Sequence, residues 1–265
     1  MNFKIQIYSQ LGKKGKPDRV LCFKFQVRGS KFSLVLLGLA RRIASPALSN
    51  IEVQALNVDR RTSNLELKTL NFERWIPERL RRQLEFILEI DRLKSVLRQS
   101  YLIDSDRHEN SAEHSWHLAI AAMVLAEHAK ESIDVSKVIR LVLVHDLVEI
   151  DAGDTFIYDE AANIGKAARE QEAANRLFGV LAEDQAQAFM DLWREFEDRE
   201  TPEAKFAFAL DRLLPVLHNV FTQGRSWKEH GIQQEQALKK NRPIGDGSPD
   251  LWQVVESLIT QTLAK

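Results

Sequence analysis

The chain has 265 residues, a formal net charge of −1 and 44% apolar residues, enough for one large globular domain plus an extension. No stretch approaches the roughly 20 continuous apolar residues of a membrane-spanning helix. Phe32 to Ala40 is apolar but short and stops at Arg41-Arg42, and its position more than thirty residues in argues against a secretory signal. The single Cys22 excludes an internal disulfide framework and a cysteine-rich zinc site, so a cytoplasmic location is expected and any metal must be held by histidines and carboxylates.

The near-zero charge hides an asymmetry. Residues 1–70 hold 13 basic and 4 acidic side chains, a balance of +9, whereas the remainder holds 24 and 34, a balance of −10. This divides the chain into a basic N-terminal extension, 1–70, and a main domain, 71–265. In the extension Phe3, Ile5 and Ile7 alternate with polar residues, as do Leu21, Phe23, Phe25 and Val27, across a turn-rich Gly12-to-Asp18 segment. This pattern predicts a β-hairpin. Ile51, Val53 and Ala55 alternate more weakly. Three readings of the extension stay open: an appendage without chemistry or poorly ordered chain, which is favoured; a small basic module for nucleic acid or another acidic partner; and upstream sequence included by a wrong start-site assignment, with the true start near Leu70. Its aromatic residues form no recognisable single-strand-binding motif, so nucleic acid is not the expected partner.

From about residue 72 the sequence reads as helix throughout. Ile76, Leu80, Leu84, Ile87, Leu88, Ile90, Leu93 and Leu97 follow a period near 3.6 and predict a helix over 76–100. Ser111 is positioned to cap a helix running to about Lys130, and Asp134 to cap another that ends near Gly153. Residues 160–180 and 183–199 predict two amphipathic helices. Thr201-Pro202-Glu203 combines a cap, a proline at the first helical position and an acid in the first turn. Ser248-Pro249-Asp250 repeats that signal for a final helix to about Leu263. The expected fold is all-α, with any site in the interior of a helical bundle.

His145 and Asp146 stand side by side in the apolar run Val142-Leu143-Val144-His145-Asp146-Leu147-Val148. Titratable groups are costly to bury unless paired or metal-bound. His114, in Ser111-Ala112-Glu113-His114-Ser115-Trp116-His117, and Asp211, in Leu210-Asp211-Arg212, interrupt two further helical segments. Together His114, His145, Asp146 and Asp211 make a two-histidine, two-carboxylate set drawn from three helices. It suits one divalent Co, Mn, Fe, Ni or Zn better than Mg or Ca, because imidazole nitrogen favours transition metals. The alternatives are a buried histidine hydrogen-bonded to its neighbour, and for Asp211 an ion pair with Arg212. Glu149 lies four residues after His145, on the same helix face. A carboxylate there can take a proton from metal-bound water or give one to a leaving group. His117 reads as a surface residue or as support for His114. His108, His128, His218 and His230 have no nameable partners, and His218, two turns beyond Asp211, is the one to watch.

The order His … His-Asp … Asp resembles the HD-domain metal-dependent phosphohydrolases. Glu109-Asn110-Ser111-Ala112-Glu113-His114, His145-Asp146-Leu147-Val148-Glu149 followed by Gly153-Asp154, and Leu210-Asp211-Arg212 resemble the branch that contains the 5′-deoxynucleotidases. The resemblance covers about residues 72–235. It implies an HD-type helical bundle, hydrolysis of (deoxy)nucleoside 5′-monophosphates to nucleoside and phosphate, a catalytic role for Glu149, and an Asp154 that orients substrate and solvent. It also implies an arginine that binds the substrate phosphate. Arg98 stands one residue from that place, Gln99 stands where the family has a Trp near the sugar, and Arg107 is a competing phosphate binder. Family members are often dimers, and a homodimer stays open because no heptad pattern is present.

No glycine-rich phosphate loop or Gly-x-Ser-x-Gly elbow occurs, so metal-activated water is favoured over a covalent route. Two rivals remain at this stage. One is an HD phosphohydrolase for another small phosphate ester or a nucleoside triphosphate, kept open by Gln99. The other is a metal-stabilised binding or scaffold protein with a basic N-terminal arm.

Overall fold

The protein is described by a computed structural model that covers residues 76–264 in full and, before them, the backbone of three strands. The chain divides into two compact units, residues 1–64 and 65–265. In the first, β1 (Lys4–Gln10), β2 (Val20–Val27) and β3 (Ser30–Val35) form an antiparallel sheet in the order β1-β2-β3. Ile5 pairs with Phe25 and Ile7 with Phe23, so the two alternating runs form the expected hairpin. The third strand pairs Phe25 with Phe32 and was not foreseen, because Phe32 and Leu34 alternate only briefly with Lys31 and Ser33 before the apolar run Leu34-Val35-Leu36-Leu37. Ile51, Val53 and Ala55 lie outside the described residues.

The second unit is a helical bundle with one small ribbon. In chain order it contains α1 (Glu78–Ile90), the ribbon strands β4 (Leu97–Tyr101) and β5 (His108–Asn110), α2 (Ser111–Leu125), α3 (Val135–Val144), α4 (Glu149–Ala152), α5 (Glu160–Asn163), α6 (Lys166–Phe178), α7 (Glu183–Asp198), α8 (Pro202–Phe221), α9 (Arg225–Glu229), α10 (Gln234–Asn241), α11 (Ile244–Gly247) and α12 (Pro249–Leu263). Among the described residues no helix is long and apolar enough to cross a membrane.

The expected helix over 76–100 stops at Ile90 and becomes a 3-10 turn over Asp91–Ser95 and then β4. The reason lies downstream. Asp104-Ser105-Asp106 makes a turn that folds the chain back, Leu102 N–H bonds to the Arg107 carbonyl at 3.1 Å, and β5 satisfies the β4 backbone. Leu97, which continued the helical period, is exposed on this ribbon, while Ser100 is buried. On α1 itself Phe86 is buried, whereas Leu80, Leu84, Ile87 and Leu88 are exposed.

Most caps form where the sequence placed them. Asp134 accepts from Ser136 N–H, Thr201 from Ala204 N–H and Ser248 from Leu251 N–H. For α2 the cap is Asn110, not Ser111. The Asn110 side chain accepts from Glu113 N–H and the Glu113 carboxylate accepts from Asn110 N–H, a reciprocal capping box. Ser111 is thereby the first helical residue, and its hydroxyl is free for another partner.

The long helix α8 is the spine of the bundle. Phe206, Ala207, Ala209 and Leu210 on it are fully buried, against Leu118 and Ala122 of α2 and Val138, Leu141 and Val142 of α3. Gly247 at the end of α11 lies against the α8 backbone, and a Cβ there would stand 2.3 Å from the Lys205 carbonyl oxygen and 2.9 Å from Phe206 Cα. Neither atom can yield without moving the helix. Gly247→Ala is therefore expected to destabilise the protein by about 1–3 kcal/mol, read as a lower urea midpoint with an unchanged slope; an unaltered midpoint would show that α11 is not held this closely.

Candidate metal centre and active site

Four segments converge on one buried space. After α3 the chain does not continue as a regular helix but tightens into a 3-10 turn over His145–Val148, then resumes as α4 until Gly153 stops it with φ +76°. A 3-10 stretch inside a helical run often marks a functional segment, and this one carries His145, Asp146 and, at its end, Glu149. All three are buried. The first turn of α2 supplies His114 and α8 supplies Asp211. Pro215, four residues on, has no N–H to give the Asp211 carbonyl, so the α8 ladder has a gap at this residue.

The geometry fixes which imidazole nitrogens face inward. His145 Nδ1 lies 2.9 Å from the Val142 carbonyl oxygen, an oxygen that can only accept, so Nδ1 carries the proton. The Nε2 lone pair of neutral His145 is then directed at Asp146 Oδ1, 2.9 Å away, and Asp211 Oδ1, 3.7 Å away. His145 Nε2 nevertheless has no aligned hydrogen-bond partner. His114 is fully buried; its Nδ1 is 3.3 Å from Glu109 Oε2 and its Nε2 is 2.9 Å from Asp211 Oδ1. In the metal-free arrangement Nε2 hydrogen-bonds Asp211 and Nδ1 has no hydrogen-bond partner; with the ring proton on Nδ1, facing Glu109, the Nε2 lone pair is available to a metal. Lone pairs and carboxylate oxygens converging in a buried space repel unless a cation stands among them. Donor atoms of His114, His145 and Asp146 all lie within 4.8 Å of one another. The donor set, the burial and the unpartnered Nε2 therefore fit a divalent metal.

The electrostatics carry the same signature. Burial opposes a charge on His145, but Asp146 and Asp211 outweigh it and hold its pKa up to about 10. Burial likewise works against the Asp146 carboxylate, yet His145 and Arg98 bring it down to about 2. Asp211 is held well below the usual carboxylate range, since His114, His145 and Arg212 overcome its burial. Without a metal, a proton on His145 supplies the positive charge that these carboxylates demand.

Arg98 comes from β4 and enters the same space. Its Nη1 donates to Asp146 Oδ2 at 2.8 Å and lies 3.7 Å from Asp154 Oδ1, while Nη2 is 3.8 Å from Asp211 Oδ1. Glu149 Oε2 accepts from the Ser111 hydroxyl at 2.6 Å. Burial, reinforced by Asp146 and Asp154, pushes the Glu149 carboxyl well above its ordinary value. Asp154 is also raised, first by burial, with Arg98 opposing. A carboxylate held towards its ionised form and a carboxyl held towards its protonated form thus sit side by side, separated by their surroundings.

The structure brings His114, His145, Asp146, Asp211, Glu149, Asp154 and Arg98 together. It leaves Arg107 on the surface, where a two-pronged ion pair with Glu113 at 2.7 and 2.8 Å engages it. Gln99 lines the cleft that opens from the centre. Sequence reasoning missed Glu109, which stands 3.3 Å from His114 Nδ1 without a hydrogen bond, and Ser111 as the hydrogen-bond partner of Glu149. It also missed Lys166 and Arg212, together with Phe156, Tyr158, Phe196 and Phe208, in the cleft wall. Glu109 had a signal, being an acid just before the first histidine segment. The wall residues had none, because they come from four separate segments.

Residues 90–252 match the HD domain family model, and the chain belongs to that family. A crystal structure described as a predicted metal-dependent phosphohydrolase from Magnetospirillum magnetotacticum MS-1 is 50% identical, with a TM-score of 0.68, over 71% of this chain and 96% of that one. The human protein named 5′-deoxynucleotidase HDDC2 is 31% identical over 135 residues, 51% of this chain and 65% of that protein. The Xenopus laevis protein of the same name is 33% identical over 135 residues, 51% and 66% of the two chains. The chain thus spans just under two thirds of the length of these curated relatives.

The His145 proton and a metal compete for one nitrogen, which gives a sign to the pH dependence. Because the folded pKa is raised from 6.5 to about 10, the stabilisation from that proton in metal-free protein is complete below 6.5 and is lost as pH rises towards 10. Metal binding displaces the proton. The apparent affinity of stripped protein for Co²⁺ is expected to rise about tenfold per pH unit above neutrality, measured by competition with a chelator of known pH dependence; a flat profile would show that His145 Nε2 takes no part.

Proposed function

We propose that this chain is a metal-dependent phosphomonoesterase that hydrolyses (deoxy)nucleoside 5′-monophosphates to nucleoside and phosphate. The observation that carries the reading is the convergence of His114, His145, Asp146 and Asp211 around one buried space, with protonatable Glu149 beside them. The names carried by the relatives support the substrate class.

His114, His145, Asp146 and Asp211 would hold the metal, a transition metal by the chemistry of two imidazoles. When bound, a divalent metal polarises a phosphoryl oxygen and lowers the pKa of water. The rest is the work of the chain. Arg98 lies among the ligands, and its guanidinium offsets phosphate charge once it turns from Asp146 towards substrate. Burial and the neighbouring carboxylates push Glu149 well above the ordinary carboxyl range, which favours its protonated form as a donor to the leaving 5′-oxygen. The Ser111 hydroxyl fixes which Glu149 oxygen faces the centre. Asp154, opposite Arg98, orients that arginine and the solvent near it. Lys166 and Arg212 in the cleft wall add positive charge for the phosphate, and Phe156, Phe196 and Phe208 offer apolar faces for the nucleoside.

Gln99 in the cleft favours a second reading for the sugar end. A side-chain amide offers hydrogen-bond donors and an acceptor where an indole offers a flat apolar face, so selectivity for 2′-deoxy over ribose substrates is weaker here than in relatives with a Trp. The single Cys22 supports a reducing, cytoplasmic setting.

The test is phosphate release by chelator-stripped protein from a panel of deoxy- and ribonucleoside mono- and triphosphates, with Co, Mn, Mg or no metal added. Metal-dependent release from monophosphates is expected. Release of pyrophosphate or tripolyphosphate from triphosphates, with monophosphates untouched, would replace the proposed substrate. Glu149→Gln is expected to lower turnover by roughly 10²–10⁴-fold with metal content retained, whereas Asp146→Ala should lose activity together with the ion at the His145-Asp146 centre. Undiminished turnover in Glu149→Gln would remove the general-acid role.

A further inference from the structure

Two histidines remain outside this machinery although the helices that build it carry them inward. On α2, His117 follows His114 by three residues, and on α8, His218 follows Asp211 by seven. Both spacings return a side chain to the same helix face. The two helices that present His114 and Asp211 to the metal centre therefore also present His117 and His218 to each other further along. Glu109, ahead of α2, stands between the two places.

We propose that Glu109, His117 and His218 form a second metal site, for a divalent transition metal, separate from the one at His145-Asp146. Donor atoms of these three residues all lie within 4.8 Å of one another. Two imidazoles and one carboxylate are a donor set that favours Zn, Co, Ni or Cu over Mg or Ca. Glu109 is 1% and His218 4% exposed, and Glu109 Oε2 and His218 Nδ1 have no hydrogen-bond partner. Their separation is 3.8 Å. Two ligands of a tetrahedral metal with bonds of about 2.0–2.1 Å stand about 3.4 Å apart, so this pair needs to close by well under 1 Å. The rings of His117 and His218 have centroids 6.0 Å apart. His117 is only half-buried, which gives an ion a way in.

The other groups facing Glu109 define the competition. His114 Nδ1 is 3.3 Å and Arg98 Nε 3.8 Å from the same Oε2 atom. A metal at the second site shares this oxygen with both, so the two sites are linked through one carboxylate. A network of hydrogen bonds alone would bind no second ion, and this is the distinction to measure. The inference is independent of the proposed substrate, since it concerns ion binding away from Glu149 and Asp154.

The experiment is the cobalt content of the full chain after stripping and reloading with Co²⁺ and removal of free ion, by plasma emission together with the visible absorption spectrum. Wild-type protein, His117→Ala, Asp146→Ala and the double variant are compared. The half-exposed position of His117 makes its truncation compatible with folding, and His218→Gln provides a second variant of similar size. Two ions are expected in the wild type, one in each of the three single variants, and none in the double variant. The spectrum left in His117→Ala should differ from that left in Asp146→Ala. One ion in the wild type, or a count that neither His117→Ala nor His218→Gln lowers, overturns the proposal and leaves the metal centre at His145-Asp146 standing.

Discussion

A clash of lone pairs governs this molecule. His145 commits its only neutral-state proton to the Val142 carbonyl and turns its other nitrogen towards Asp146 and Asp211. His114 approaches Asp211 from the opposite side with Glu109 behind it. His145 Nε2, His114 Nδ1 and Glu109 Oε2 are buried without hydrogen-bond partners, and carboxylates gathered this closely are stabilised by an added positive charge. In metal-free protein that charge is a proton on His145 together with Arg98, and this is why His145 is driven far above its ordinary pKa while Asp146 and Asp211 are driven below theirs.

The bundle serves to hold that unfavourable arrangement in place. The strong apolar contacts of α8 with α2 and α3 position Asp211, His114 and His145 before any ion arrives. A second cluster of buried apolar residues, built around Val144, Leu147 and Val148 with Leu177 and Phe178 of α6, grips the other side of the 3-10 turn. Burial from both sides raises Glu149 and Asp154 and strengthens charge interactions nearby. Packing and proton chemistry are thus one design: the residues that make the turn rigid also make its carboxylates different from one another.

Much of this was legible in the sequence because polar residues in apolar helical runs carry information that polar residues on surfaces do not. His145, Asp146 and Asp211 stood out for that reason, and Glu149 followed from its spacing. The caps at Asp134, Thr201 and Ser248 were legible because each precedes its helix in a known chemical order. The β4–β5 ribbon was not. Its first strand continues the apolar spacing of α1 through Leu97, and only the distant pairing with His108–Asn110 decides against a helix. Ser111 was misread as a cap because Asn110, one residue earlier, caps equally well and leaves the serine free for Glu149. Arg98 and Arg107 could not be separated from sequence, since what divides them is their neighbours: four carboxylates around the first and Glu113 beside the second.

The most direct test of the account is where the ion goes. Crystals of protein reloaded with Co²⁺ would be measured on both sides of the cobalt absorption edge. The account predicts an anomalous peak enclosed by His114 Nε2, His145 Nε2 and carboxylate oxygens of Asp146 and Asp211, with Arg98 displaced from Asp146. A well-ordered site without such a peak, with His145 still protonated against Asp146, would show that a proton and an arginine suffice and that the arrangement is not a metal centre.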